Sequence, residues 1–195
     1  MPTIAADRIH YLQTRIARFE DQQAYKELYT SFYSYLFHFA FSVVKSRESA
    51  EEVVSDTFIK IWEKRKTLEK IINLKVYLYV ATRNIALNYA DRQKRAATNS
   101  IDDFSVDFKS LYFNPEQLMI TADMMAMIES AIGQLPPRCK IIFKLVKEDN
   151  LKYKEVAEIL NISAKTVENQ LAIALRKIGS AVSFDISTSI STPIV

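Results

Sequence analysis

Residues 151–171 read LKYKEVAEILNISAKTVENQL, and the reading of this stretch decides the fold. Val156, Ile159 and Leu160 recur at helical spacing, which predicts a helix ending near Asn161. Asn tolerates the left-handed conformation that closes many helices better than most residues do. Ser163 then offers a hydroxyl that can accept an orphan backbone N–H, the mark of a second helix start. Beyond it Val167, Leu171, Ala174 and Ile178 form one apolar stripe. Lys165, Asn169, Ala172 and Arg176, with Glu168 beside them, lie on roughly the opposite side. A helix, a tight turn and a second helix divided in this way suit a chain that packs by one side and inserts the other into a DNA major groove. An antiparallel helical hairpin with a solvated face is the competing reading. Lys, Thr, Asn, Gln and Arg on the outer side can all hydrogen-bond base edges or phosphates, which favours a DNA reader.

The rest of the composition narrows the possibilities. A chain of 195 residues holds one ordinary domain or two small ones, and 49% apolar residues are enough to build cores. Gly133 and Gly179 are its two glycines, so neither a Walker loop nor a dinucleotide fingerprint can be written. Few glycines argue for helices with short joints, an all-α chain. The single cysteine, Cys139, excludes an internal disulfide and a cysteine cluster for zinc, and His10 and His38 stand apart from other ligand types. No metal, no cofactor and no small-molecule substrate is expected. No nucleophile elbow is present, so the chain reads as a non-enzyme. The N-terminus, with Asp7 and Arg8, does not read as a signal peptide, and the apolar runs are too short to span a bilayer. A cytoplasmic protein without direct membrane insertion is the expectation.

The formal net charge is +3, but it is unevenly distributed. Residues 1–95 carry a balance of +5, residues 96–122 a balance of −3 and residues 123–195 a balance of +1. A basic first part and an acidic divider suggest two small helical domains joined by a flexible acidic linker. The expected boundaries are a first domain at 1–95, the linker at 96–122, a helix-turn-helix domain at 123–180 and a flexible tail at 181–195. Positive charge in the first domain favours attraction to phosphates.

Before the linker, three helices are predicted. The first runs from about Asp21 to Val44, with Leu28, Phe32, Tyr35, Leu36, Phe39 and Val43 inward and Asp21 as its cap. The second runs to about Lys64, with Val54, Phe58, Ile61 and Trp62 buried and Glu52, Asp56 and Ile59 on its outer circumference. On residues alone, that acidic side reads as solvated. After a loop over residues 66–73, capped at Asn73, the third helix runs to about Arg95 with Leu78, Ala81, Ile85 and Tyr89 inward. Lys75, Tyr79, Arg83, Asn84, Asn88 and Arg92 occupy its other faces. Aromatic, amide and cationic groups mixed on one helix suit single-stranded or melted nucleic acid. A further helix is expected over about 115–133 and another from Leu135-Pro136-Pro137, with proline in its first turn.

Two blocks in this order resemble a known family, the bacterial sigma factors of the small extracytoplasmic-function group. SAEEVVSDTFIKIW at residues 49–62, followed by YLYVATRNIALNY at residues 77–89, resembles that family's second conserved region. Leu135, Pro136, Arg138 and Phe143 with the helix-turn-helix resemble its fourth region, and the wording of residues 153–158 and 165–170 is similar to Bacteroidetes-type members. The resemblance implies that Glu52, Asp56, Ile59 and Trp62 dock on the clamp helices of RNA polymerase core. It implies that residues 66–73 with Lys75, Tyr79, Arg83, Asn84, Asn88 and Arg92 bind the melted minus-ten strand. Ser163, Lys165, Thr166, Glu168, Asn169, Gln170 and Arg176 would read or clamp the minus-thirty-five element, with the polymerase flap beside them. Promoter DNA, polymerase core and an anti-sigma protein are the implied partners. Lys152 departs from the Ser or Thr common at that capping box, and Glu168, Ala172 and Ile173 from residues that are often basic or His. A dimeric helix-turn-helix regulator, with the first domain as sensor or dimerisation unit, is the alternative; it would bury the Asn-bearing helix that a sigma factor must expose.

Overall fold

The structure is a computed structural model that describes residues 4–96 and 122–190. These fall into two compact units, one before and one after residues 97–121. Every regular element among the described residues is helical. The acidic linker and the start of the helix expected from residue 115 lie outside them.

The first unit contains α1 (Ala6–Phe19), α2 (Gln22–Val44), α3 (Arg47–Glu63), a 3-10 segment (Arg65–Lys70) and α4 (Leu74–Ala96). Asp21 caps α2, its carboxylate accepting from the backbone N–H groups of Gln23 and Ala24 at 3.0 and 3.1 Å. α2 closes at Lys45, left-handed at φ 61°. Ser46 then caps α3, its hydroxyl accepting from Ser49 N at 3.2 Å. α2, α3 and α4 pack on one another around Leu28, Phe32, Leu36, Val53, Val54, Phe58, Leu78 and Tyr79. Burying each such side chain contributes about 1.5–3 kcal/mol. Two hydroxyls sit in this core without being orphaned. Thr57 donates to Val53 O and Thr82 to Leu78 O, both at 2.8 Å, and the two oxygens are 3.3 Å apart.

Three features depart from the sequence reading. α1 precedes the first helix expected there, with Leu12 and Ile16 fully buried against α2 and the 3-10 segment. Ile9, Leu12 and Ile16 do recur at helical spacing, but Arg, His and Gln between them dilute the signal. Residues 66–73 are largely a 3-10 turn around buried Leu68, while Asn73 caps α4 as expected, accepting from Val76 N at 3.1 Å. The aromatics of α2 divide. Phe32 and Phe39 enter the core, whereas Tyr29, Tyr33, Phe37 and Phe41, each four residues on, form a half-exposed row of contacting rings 5.4–6.2 Å apart.

The second unit contains α5 (Ala122–Gly133), α6 (Pro137–Phe143), a π-helical turn (Lys144–Glu148), α7 (Tyr153–Leu160) and α8 (Ala164–Ile190). α5 and α6 both pack on α8, around Ile132, Leu135, Ile142, Leu145, Val167, Leu171 and Ala174. α8 continues to Ile190, past Ser180, where the sequence reading starts a flexible tail. Ser and Thr each cost a helix under about 0.7 kcal/mol relative to Ala. No glycine or proline stands between Gly179 and Pro193 to end it. Among the described residues no helix is long and apolar enough to cross a membrane.

Candidate nucleic-acid and polymerase interface

α4 is wedged against both α2 and α3, so two of its sides are spent on the core. Leu74, Leu78, Thr82, Ile85 and Ala86 fill these seams, and Tyr79 joins them fully buried, its ring edge-on to Phe39 at 5.3 Å. Tyr79 is therefore a packing residue and leaves the set expected to touch DNA: the helix is rotated from the orientation that its polar residues suggested. Asn84, Asn88 and Arg92 do share one exposed strip, at four-residue steps. Leu87, 47% exposed, interrupts it. Arg83 flanks the strip, its guanidinium donating to Asn84 Oδ1 at 3.0 Å. Lys75 lies nine residues from Asn84, which by a period of about 3.6 puts it on the opposite side of the helix. With Asp91 exposed beside Leu87, the strip thus presents two amides, a cation, a carboxylate and a leucine, and at the N-terminal end of α4 Ile72 stands entirely in solvent. Neither apolar residue attracts notice in the sequence, because exposure alone distinguishes them from core.

α3 carries the acidic side. Glu52, Asp56, Ile59 and Glu63 fall along one helical strip, and Ile59 is 54% exposed. Asp56 Oδ2 accepts from the Tyr89 hydroxyl at 2.9 Å, a bond that joins α3 to α4 and holds the Tyr89 phenol above its ordinary range. Trp62 lies apart from this strip. Its ring meets Tyr25 at 4.9 Å, and the Arg65 guanidinium stacks over it at 5.0 Å.

α7 and α8 form the helix-turn-helix. Asn161 is left-handed at φ 54°, with Asn161 N donating to Glu158 O and Ile162 N to Ala157 O, the paired bonds of a Schellman close. Only half of a capping box opens α7. Lys152 supplies no side-chain acceptor, but its backbone N–H donates to Glu155 Oε2 at 2.7 Å. Ser163 caps α8, accepting from Thr166 N at 3.0 Å, and its hydroxyl meets that of Thr166 at 2.8 Å. Val167, Leu171 and Ala174 are buried, as the stripe required. Lys165, Glu168, Asn169, Ala172 and Arg176 are exposed together.

Two details alter that face. Lys165 Nζ pairs with Glu168 Oε2 at 2.9 Å, so its charge is already answered within the helix. Gln170 turns away from the exposed strip and accepts from the buried Cys139 thiol of α6 at 3.0 Å. Burial pushes that thiol above its ordinary range, which leaves it protonated and able to donate. Gln170 therefore belongs to the α6–α8 seam rather than to the reading face. Arg176 sits farther along, on the wall of a shallow cleft with Ala131 and Gln134.

Comparison with known proteins bears on both units. Residues 28–96 match the family model described as Sigma-70 region 2, and residues 125–178 match Sigma-70, region 4. Together they cover more than half of the chain. The chain is 27% identical over 140 residues to RNA polymerase sigma factor SigV of Bacillus subtilis (strain 168), covering 72% of this chain and 80% of that protein. It is 26% identical over 138 residues to the ECF RNA polymerase sigma-E factor of Escherichia coli (strain K12), covering 67% and 72%. Its fold is similar to CnrH in a complex with the cytosolic domain of CnrY, at TM-score 0.56 and 19% identity over 92% of this chain and 99% of that one. It is also similar to the sigma factor RpoE of Bartonella quintana, crystallised with the anti-sigma factor NepR, at TM-score 0.55 and 22% identity over 82% and 97%. A region-2 unit followed by a region-4 unit, each folded around its own core, places this chain in the sigma-70 family, as an RNA polymerase sigma factor of the extracytoplasmic-function group.

Proposed function

We propose a division of labour between the two units. Residues 1–95 bind polymerase core through Glu52, Asp56 and Ile59 of α3, and the separated minus-ten strand through Asn84, Asn88 and Arg92 of α4. Residues 123–180 read the minus-thirty-five element through Lys165, Glu168, Asn169 and Arg176 of α8, with Ser163 and Thr166 fixing where that helix starts. Residues 96–122 join the two as an acidic connector. The clamp helices and the flap are the core elements engaged. The observation that carries this reading is the pair of exposed polar strips, on α4 and on α8, each backed by a packed seam. Amides and cations on such strips hydrogen-bond bases and phosphates, where a bidentate base contact is worth about 1–3 kcal/mol. No step of catalysis is assigned to this chain; the polymerase performs the chemistry, and the working compartment is the cytoplasm. The two structural relatives crystallised with CnrY and NepR support an anti-sigma partner here.

Run-off transcription from a promoter with two spaced elements tests the proposal. The purified chain with polymerase core is expected to give a defined transcript, and without core it is expected to bind that promoter weakly. Tight binding of a palindrome by a dimer without core would favour the regulator alternative. Within α3, Ile59→Ala is the cleaner probe of docking, because changing Asp56 also removes the Tyr89 bond. Unchanged co-elution of the Ile59→Ala chain with core would overturn the α3 assignment.

A further inference from the structure

Gln13 of α1 is 3% exposed, and a carboxamide is costly to bury unless it is bonded. Its Nε2 donates both hydrogens: one to Leu68 O, the other to Ile71 O at 2.8 Å. Only the amide nitrogen can serve two carbonyls, so the orientation of the group is fixed. Those carbonyls end the 3-10 segment, where Ile71 N also closes onto Leu68 O at 2.9 Å. The chain next exposes Ile72 completely and then enters α4 at its cap, Asn73. Ion pairs from Arg18 to Glu69 and from Arg65 to Glu20 tie the end of α1 to the same segment. The tip at residues 71–73 is thus pinned on its entry side by α1 and on its exit side by the α4 cap. A leucine at position 13 would fill space as well, but it would fix no backbone carbonyl. α1 lies wholly outside the region-2 match, which begins at residue 28.

We propose that α1 is a strut for promoter opening: Gln13 is a positioning residue that holds the residue 71–73 tip so that Ile72 presents a fixed apolar surface to an unstacked base. Apolar side chains held rigidly at a backbone tip are a recurrent means of separating or capping base steps. The inference rests on the reading of the first unit as the minus-ten binder.

The test uses the full chain with polymerase core and permanganate probing of thymines in the opened promoter. Gln13→Leu is expected to co-elute with core as the wild type does, yet to lower permanganate reactivity by up to about a hundredfold, the scale on which a misplacement of about 1 Å acts. The double variant Gln13→Leu/Ile72→Ala is expected to lose no more than Ile72→Ala alone, because both changes act on one tip. A purely structural role would instead depress core binding and opening together and give additive losses, and that result overturns the strut. If Gln13→Leu does not fold, Arg18→Ala decides, since it loosens only an exposed ion pair. A two- to threefold loss of reactivity with core binding intact is expected there, about what a weak exposed pair can contribute, and no loss overturns the proposal. A wild type that opens no promoter with core refutes the minus-ten reading itself. A wild type that opens it, beside a Gln13→Leu chain that opens it equally, refutes the strut alone.

Discussion

α4 and α8 are built on opposite terms, although each offers a polar strip. α8 buries one narrow seam, Val167, Leu171 and Ala174 with Gln170 at its edge, and leaves Lys165, Glu168, Asn169 and Ala172 to solvent. α4 is gripped by α2 and α3 at once, so its seams take in a tyrosine and a threonine and leave a strip of Asn84, Leu87, Asn88, Asp91 and Arg92 outside. A helix whose seams take up most of its circumference is a stiff platform with little room for readers; α8, which meets α5 and α6 along a narrower seam, has room but starts with its charge internally paired. The largest effect should expose this contrast directly. Tyr79→Ala is expected to cost the first unit about 3–5 kcal/mol in urea unfolding, the range for truncating a buried aromatic. Asn84→Ala, five residues on, is expected to stay within about 0.5 kcal/mol while impairing promoter opening. A Tyr79→Ala chain that unfolds like the wild type would break the distinction between platform and strip.

On α8 the same division separates neighbours. Asn169→Ala is expected to shift minus-thirty-five preference by about 1–3 kcal/mol, the worth of a base contact, as read from competition binding of the holoenzyme to promoter variants. Gln170→Ala is expected to leave preference unchanged and to loosen the α6–α8 seam at Cys139. Below these in size is the Ser163 cap. Ser163→Ala is expected to cost about 1 kcal/mol, the usual value of an N-cap side chain, with no dependence on pH.

The contrast also explains what the sequence could disclose. The helix-turn-helix was legible to the residue because its joint is written in local chemistry: Asn161 closes α7 by its own backbone preference, and Ser163 opens α8 with its own hydroxyl. The caps Asp21 and Asn73 are legible for the same reason, since each acts within three residues. What escaped depends on distance in sequence. That Tyr79 faces Phe39 is a fact about where α2 lies, and that Gln170 meets Cys139 is a fact about α6. α4 is apolar on most of its circumference, so its periodicity leaves its rotation undetermined. α1 is short and interrupted by charged residues, and it is held in place by a segment more than fifty residues away.

A comparison of caps gives a pH test. The Asp21 carboxyl lies below its ordinary range, first because Ala24 N–H donates to it and then because Arg15 pairs with it. A depressed carboxyl stabilises the folded state above its unfolded pKa, and that contribution is lost as pH falls through the folded value. Thermal unfolding of the first unit should therefore weaken below about pH 4, where an ordinary aspartate titrates. Asp21→Asn keeps an acceptor at the cap and should reduce that acid limb, leaving the part due to Glu27, which the hydrogen bond from Arg8 also holds low, whereas Ser163 gives α8 no such limb.

The smallest effect concerns the Lys165–Glu168 pair. Both side chains are more than half exposed, at 71% and 53%, and three residues apart, so the pair contributes no more than about 0.5 kcal/mol to the helix. Its consequence lies in binding. While Glu168 answers Lys165, the start of α8 meets DNA as a nearly neutral surface, and a phosphate must compete with a carboxylate already in place. Glu168→Gln removes that competitor and keeps the side-chain length. Unfolding should be unchanged, whereas non-specific DNA binding should tighten and its dependence on log salt should steepen by about one, the signature of one more cation on a phosphate. An unchanged salt slope would mean that Lys165 does not meet the backbone in the bound state, leaving Arg176 as the exposed cation of the reading face to carry that contact.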